Sequence, residues 1–291
     1  MRGVGTASGA VTVVNALATG IGCAIAVTLP VRAEIDLRPT GSKGSNRVHM
    51  ERGSDSELVR ETVAVGLSRF APGEFYSGEL RVDSEVPPRR GLKSSSAVAG
   101  AVLRAVASAL RLARPPEELA RLAAGVAQEI GLSATGAYDD CLAALQGGLV
   151  LTDNTNRTVI RAQPFPLNLR VAVWIPPESH LPSTAWRERF RAEAEAGRRA
   201  VEAARAGRWA EAMTLNTELV ERVMGYDYAT LRSDLISHGA TMCGVSGMGP
   251  AIAALAPEDV LDDVVSHLPP DRGEIRRLNL RIADGYGGPG S

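Results

Sequence analysis

Lysine is nearly missing from this chain: of 32 basic residues only Lys43 and Lys93 are lysines, and the rest are arginines. Aromatic residues are scarce at 4%, and the net charge is -1. A nucleic-acid binder needs a basic field and stacking platforms, so DNA and RNA are excluded as expected partners. The cysteines Cys23, Cys141 and Cys243 are odd in number and form no CxxC pair, which excludes a disulfide scaffold and a cysteine zinc site and fits a reducing cytoplasm. His49, His180, His238 and His267 have no metal-ligand or triad spacing and read as ordinary surface or core residues. Long apolar runs are absent too. The stretch from Gly3 to Val31 carries no charge, but Gly9, Thr12, Asn15, Thr19, Gly20, Gly22 and Thr28 interrupt it, whereas a membrane span needs about 18 unbroken apolar residues. It reads as buried strands rather than as a signal peptide or anchor.

What is present is the composition of a globular enzyme: 291 residues, 45% apolar and 22% charged. At about 150 residues per domain this length suggests two domains. Strands are expected at Val11–Val14, Ala24–Leu29, Ala33–Leu37 and Glu79–Val86, with an exposed hairpin turn over Thr40–Asn46. Helices are expected over Ser56–Phe70, from the serine run near Ser94 to about Leu112, and over Glu117–Ile130. After a hairpin at Gly147–Ala162, the proline-bearing segment Gln163–Asn168 marks a boundary between a domain of residues 1–163 and one of residues 164–291. The second half reads as a strand at Leu169–Ile175, helices over Ser183–Ala206, Trp209–Met224 and Tyr228–Ser237, strands at Thr241–Val245 and Ala251–Leu255, a helix near Asp259–His267 and a strand at Glu274–Ile282. Alternating strands and helices in both halves define an α/β or α+β plan.

The most informative stretch is Pro87-Pro88-Arg89-Arg90-Gly91-Leu92-Lys93-Ser94-Ser95-Ser96-Ala97. A strand ending in prolines, a tight turn and serines opening a helix make an anion site. Unpaired N–H groups of the first helical turn point outward, the helix dipole favours negative charge, and Lys93 adds a full positive one. Serines there also cap helices, which is a purely structural use. The stretch is not a Walker A loop, because Leu92 precedes the lysine, and it lacks the GxGxxG spacing of a dinucleotide fingerprint. No GxSxG elbow occurs for serine-nucleophile chemistry.

The loop resembles the phosphate loop of the GHMP kinase superfamily, usually Pro-x-x-x-Gly-Leu-Gly-Ser-Ser-Ala-Ala. Lysine where most members carry glycine, together with GAVTVVNALATGIGCAIAV near the N-terminus, resembles the archaeal type of shikimate kinase within it. Ser246-Gly247-Met248-Gly249-Pro250 resembles the superfamily's glycine-rich third motif, although alone it could be a tight hairpin turn. No Gly-Glu-His motif stands near Asn15, which suits a nucleotide-binding or loop-ordering role or the satisfaction of buried backbone.

The resemblance implies a ribosomal-protein-S5-like N-terminal domain, a ferredoxin-like C-terminal domain and an active site between them. It implies ATP along Pro88, Arg89, Arg90, Gly91, Leu92, Lys93, Ser94, Ser95, Ser96 and Ala97, with Gly247 and Gly249 nearby. It implies Mg2+ on Ser95 and Glu129, Asp140 as the base toward a shikimate hydroxyl, and Lys93 stabilising the transferred group. Asp140 is favoured because counting back from Gly147 matches the family's spacing; Asp139 is the alternative, and an N-cap with a first-turn carboxylate is the structural use of the pair. The acceptor's carboxylate calls for an arginine, which the sequence does not single out. The arginines from Arg187 to Arg208 lie among glutamates, as on a solvated helix face, while Arg222, Tyr226 and Asp227 are candidates for an inter-domain cleft. Rival readings are another small-molecule kinase of the superfamily, such as a homoserine or mevalonate-pathway kinase, and a non-catalytic nucleotide sensor.

Overall fold

The computed structural model describes residues 1–41, 44–166, 168–177 and 184–283. The first half contains β1 (Arg2–Val14), β2 (Ile21–Gly41), β3 (Arg47–Met50), α1 (Glu57–Phe70), β4 (Phe75–Ser84), α2 (Ser94–Ala109), α3 (Pro116–Glu129), α4 (Tyr138–Gln146), β5 (Leu149–Asp153) and β6 (Thr158–Gln163). Its strands form one six-stranded sheet with the order β3-β4-β2-β5-β6, and β1 pairs with β2.

The uncharged N-terminal stretch is the centre of this sheet. β1 and β2 run antiparallel from Arg2 opposite Asp36 to Val14 opposite Cys23, and residues 10–14 and 23–27 are all buried, as expected where both sheet faces are covered. Glycine sets the spacing: a Cβ on Gly3 would fall 2.2 Å from the Ala105 carbonyl oxygen, and one on Gly5 2.1 Å from that of Ala101. The alanine-rich α2 therefore lies directly against the β1 backbone. Among the described residues, no helix is long and apolar enough to cross a membrane.

Three local expectations differ from the structure. β3 pairs in parallel with β4, on the side away from β2, so the link over Thr40–Asn46 is a crossover and not a hairpin; residues 42 and 43 lie outside those described. The strand expected at Glu79–Val86 spans Phe75–Ser84, because its pairing with β2 extends over Leu37–Gly41. The helix expected over Ser183–Ala206 is two helices meeting at Glu193, with Ser183 outside the described residues.

The second half contains β7 (Leu169–Ile175), α5 (Thr184–Ala192), α6 (Ala194–Arg205), α7 (Trp209–Met224), α8 (Ala229–Ser237), β8 (Met242–Val245), β9 (Ile252–Pro257), α9 (Leu261–Ser266) and β10 (Glu274–Asn279). Its sheet has the order β10-β7-β9-β8, all antiparallel. In chain order that is 4-1-3-2, the split-βαβ arrangement of ferredoxin-like folds. The chain then returns to the first sheet. Leu280 bridges Val27, between the stretch of β2 that pairs β5 and the stretch that pairs β4, and the Arg281 N–H donates to the Ala26 carbonyl at 3.0 Å.

Candidate active site

The turn from Pro88 to Ser96 is built from left-handed backbone. Arg89, Gly91 and Lys93 have φ of 59°, 83° and 68°, and Lys93 stands immediately before α2, which starts without a side-chain cap. The first-turn N–H groups of α2 thus have no partner within the helix. A lysine in this conformation costs roughly 1–2 kcal/mol that a glycine would avoid, so a position suited to glycine carries a charge.

The ammonium of Lys93 lies 3.1 Å from Oδ1 of Asp140, with both side chains nearly buried at 10% and 13% exposure. Asp140 enters from the first turn of α4, whose preceding residue, Ala137, is also left-handed. Asp140 Oδ1 receives no well-aligned hydrogen bond besides this ion pair. Its neighbour Asp139 is engaged elsewhere: Asn154 Nδ2 donates to its Oδ1 at 2.7 Å, Asn154 Oδ1 accepts from its N–H at 3.2 Å, and Gly22 packs against its carboxylate. Burial pushes Asp139 up to about 7, the Asp140 charge adds to that, and Lys93 opposes it.

The glycine-rich segment of the second half is bonded to this loop. A Cβ on Gly91 would fall 1.9 Å from the Ser246 carbonyl oxygen, and Ser246 Oγ donates to the Gly91 carbonyl at 2.8 Å. Thr12 Oγ1 accepts from the Gly247 N–H at 2.8 Å, while the Thr12 N–H donates to Ser246 Oγ at 3.1 Å. Asn15 Nδ2 donates to the Gly247 carbonyl at 3.1 Å, and its own N–H donates to Asn216 Oδ1 on α7 at 2.7 Å. Asn15 thus orders the loop by satisfying buried backbone, and it also borders the cavity. Tyr226 supports the segment from behind, donating its hydroxyl to the Met248 carbonyl at 2.9 Å.

These elements border one cavity of about 790 Å³. The structure brings Pro88, Arg89, Gly91, Leu92, Lys93, Ser94, Ser95, Ser96, Asp139, Asp140, Gly247 and Gly249 to its wall. Six residues expected at the site lie off this wall. Glu129 is exposed and outside the lining, because Ala127 on α3, Ile130 just after it and the following turn occupy the inward side. Arg90 does not border the cavity, its carbonyl accepting from the Ala251 N–H at 3.4 Å, and Ala97 is fully buried in the core. Arg222 is drawn to Glu193 at 2.8 Å and, like Tyr226 and Asp227, does not line the cavity. Thr12, Trp186, Arg187 and Asn154 were not singled out in the sequence as residues of the site.

A helix N-terminus, a lysine and a carboxylate converging on a cavity between two α/β layers define a small-molecule phosphotransferase. Family models for the N-terminal domain of GHMP kinases match residues 57–148, and those for the C-terminal domain match residues 198–274; the chain belongs to the GHMP kinase family and is a kinase, acting with ATP on a small-molecule substrate. It is 35% identical over 263 residues to a shikimate kinase of Thermococcus kodakarensis, covering 89% of this chain and 94% of that one. It is 31% identical over 285 residues to a shikimate kinase of Halobacterium salinarum, covering 97% and 98%. The fold matches the crystal structure of homoserine kinase from Cytophaga hutchinsonii with a TM-score of 0.72 at 19% identity, covering 97% of this chain and 96% of that one.

Proposed function

We propose that this protein transfers the γ-phosphoryl group of ATP to the 3-hydroxyl of shikimate, giving shikimate 3-phosphate and ADP in the cytoplasm. One observation carries the chemistry: the Lys93–Asp140 pair at 3.1 Å beside the uncapped start of α2. The acceptor follows from relatives of that name that span nearly the whole chain.

In this reading the ATP phosphates lie along Gly91 to Ser96 and accept from the first-turn N–H groups of α2. Asp140 accepts the hydrogen bond of the acceptor hydroxyl and takes its proton as the oxygen–phosphorus bond forms and ADP leaves. Lys93 holds Asp140 in place and neutralises charge on the transferred group. The hydroxyls of Ser94, Ser95 and Ser96 and the Asp140 carboxylate bordering the cavity are hard oxygen donors that suit Mg2+. Ser95 would hold the ion together with phosphate oxygens, and the exposed Glu129 takes no part. When bound, Mg2+ neutralises charge on the phosphates.

The acceptor's carboxylate needs a fork of donors. Arg187 on α5 borders the cavity beside Trp186, and its guanidinium is held by the Gly131 carbonyl at 3.3 Å; we assign it that role. Arg89 also borders the cavity but belongs to the phosphate loop. The two domains are residues 1–163 and 164–291, with β6 ending at Gln163 and β7 beginning at Leu169; the phosphate loop and Asp140 come from the first, and Arg187 and the Gly247 turn from the second.

The test is ADP release from Mg-ATP with shikimate, homoserine and mevalonate offered separately. Turnover with shikimate alone is expected. Turnover with another acceptor instead overturns the substrate, and silence with all three, while ATP binds, supports a sensor.

A further inference from the structure

Helix α4, which carries Asp140, begins without a cap of its own. The residue before it, Ala137, is left-handed and makes no side-chain cap bond, so the first-turn N–H groups need partners from elsewhere. One partner comes from the turn between β5 and β6. There Asn154 is buried at 2% exposure, and its Oδ1 accepts from the Asp139 N–H at 3.2 Å. A capping side chain ordinarily accepts from the second or third residue of its helix, and Asp139 is the second residue of α4.

The Asn154 carboxamide is held on every side. Its Nδ2 donates to Asp139 Oδ1 at 2.7 Å, and its Oδ1 also accepts from the buried Thr152 hydroxyl at 2.7 Å. A backbone N–H only donates and a carboxylate accepts, so this position needs an acceptor and a donor on one short side chain, which is what asparagine presents. The Asn154 N–H donates in turn to the Gly20 carbonyl at 2.8 Å, in the link between β1 and β2 whose Ala16 and Leu17 border the active-site cavity. Asn154 itself does not border that cavity.

We propose that Asn154 is a positioning residue for the phosphoryl transfer: it supplies the cap that α4 lacks and sets the helix rotation that brings Asp140, rather than Asp139, to Lys93. This rests on the reading of Asp140 as the base. Consecutive helical residues point about 100° apart, so holding Asp139 against Asn154 leaves Asp140 directed at the Lys93 ammonium, 3.1 Å away. The ion pair fixes one distance between two side chains. Asn154 fixes the backbone and the carboxylate of the adjoining residue, and with them the angle from which Asp140 meets an acceptor hydroxyl.

The test is a double-mutant cycle between Asn154→Ala and Asp140→Asn, with kcat and the KM values for Mg-ATP and shikimate measured on the folded full chain. In the wild-type background Asn154→Ala is expected to lower kcat by about 10²-fold, the scale of a misplacement of about 1 Å, with KM for ATP unchanged because the phosphate loop is not touched. In the Asp140→Asn background it should lower kcat no further, since residues that act as a unit are not additive. An equal fall in both backgrounds, or an unchanged kcat in Asn154→Ala, overturns the positioning role and leaves Asp140 as the base. Wild-type kcat in Asp140→Asn overturns the base itself and the role built on it. Should Asn154→Ala not fold, Asn154→Asp keeps the shape but sets two carboxylates against each other and should be slow. Combining it with Asp139→Asn exchanges donor and acceptor and should recover most of the turnover; an exchanged pair no faster than Asn154→Asp overturns the role.

Discussion

Lys93 and Asp140 come from the starts of two different helices and meet at 3.1 Å in the active-site cavity. Neither helix start has a side-chain cap, and each is preceded by left-handed backbone at a residue other than glycine. The local conformational cost falls on Lys93 itself and on Ala137, three residues before Asp140, as at sites where function rather than packing sets the backbone.

Removing the carboxylate charge should separate the two aspartates. Asp140→Asn is expected to lower kcat by roughly 10²–10⁴-fold while Mg-ATP binding, measured by calorimetry, is largely retained. Asp139→Asn should keep most of the turnover, because Asp139 is bracketed by Asn154. The reverse order of effects would transfer the base role to Asp139.

Lys93→Gly is the informative substitution in the loop. It relieves the left-handed strain at φ 68° but leaves the nearly buried Asp140 carboxylate unpaired, so its melting temperature should lie above that of Lys93→Ala and below that of wild type, while kcat falls about 10²-fold or more through the lost charge. Lys93→Ala loses the charge without relieving the strain. A Lys93→Gly enzyme with wild-type kcat would show that the lysine is not catalytic.

Gly91→Ala tests the stitch between the halves. The new Cβ would meet the Ser246 carbonyl oxygen at 1.9 Å at a φ that disfavours alanine, so the substitution should destabilise the protein by about 2 kcal/mol or more and weaken ATP binding. Thermal melts and calorimetry with Mg-ATP read the two effects.

Asp139 also gives stability a pH dependence. Its folded-state value, near 7, exceeds the unfolded carboxylate value of about 3.9, so the native state binds the extra proton between these limits. The contribution of this residue to stability is full below about pH 4 and is lost as pH rises through about 7. Asp139→Asn, which does not titrate, should therefore gain in melting temperature relative to wild type across that window. A difference independent of pH would contradict the raised value.

Arg187→Ala should raise KM for shikimate by about 10- to 100-fold, the scale of a hydrogen bond to a charged group, with KM for ATP unchanged. Arg187→Lys should restore little, because an ammonium lacks the planar fork. Unchanged shikimate KM in both variants would move the carboxylate receptor to another residue.

Elements with a strong local pattern were legible. β7 and α7 span the residues expected of them, Leu169–Ile175 and Trp209–Met224, since an apolar run between turn residues and a helical period are local signals. The phosphate loop was legible for the same reason: prolines, a glycine turn and the start of a helix lie in one short stretch. β1 was read too short, because Gly3 and Gly5 look like loop residues until the alanine face of α2 covers them.

The residue types and local conformations, and so the anion site, the pair of aspartates and the two-halved plan, were determined by the sequence itself. Which aspartate meets Lys93, why Glu129 faces solvent, the Thr12 and Asn15 bonds to a glycine turn in the other half, and the meeting of His238 with His267 were decided by tertiary structure. Helix rotation and the docking of the two sheets choose which side chains share a space, and one residue of offset on a helix turns a side chain by about 100°.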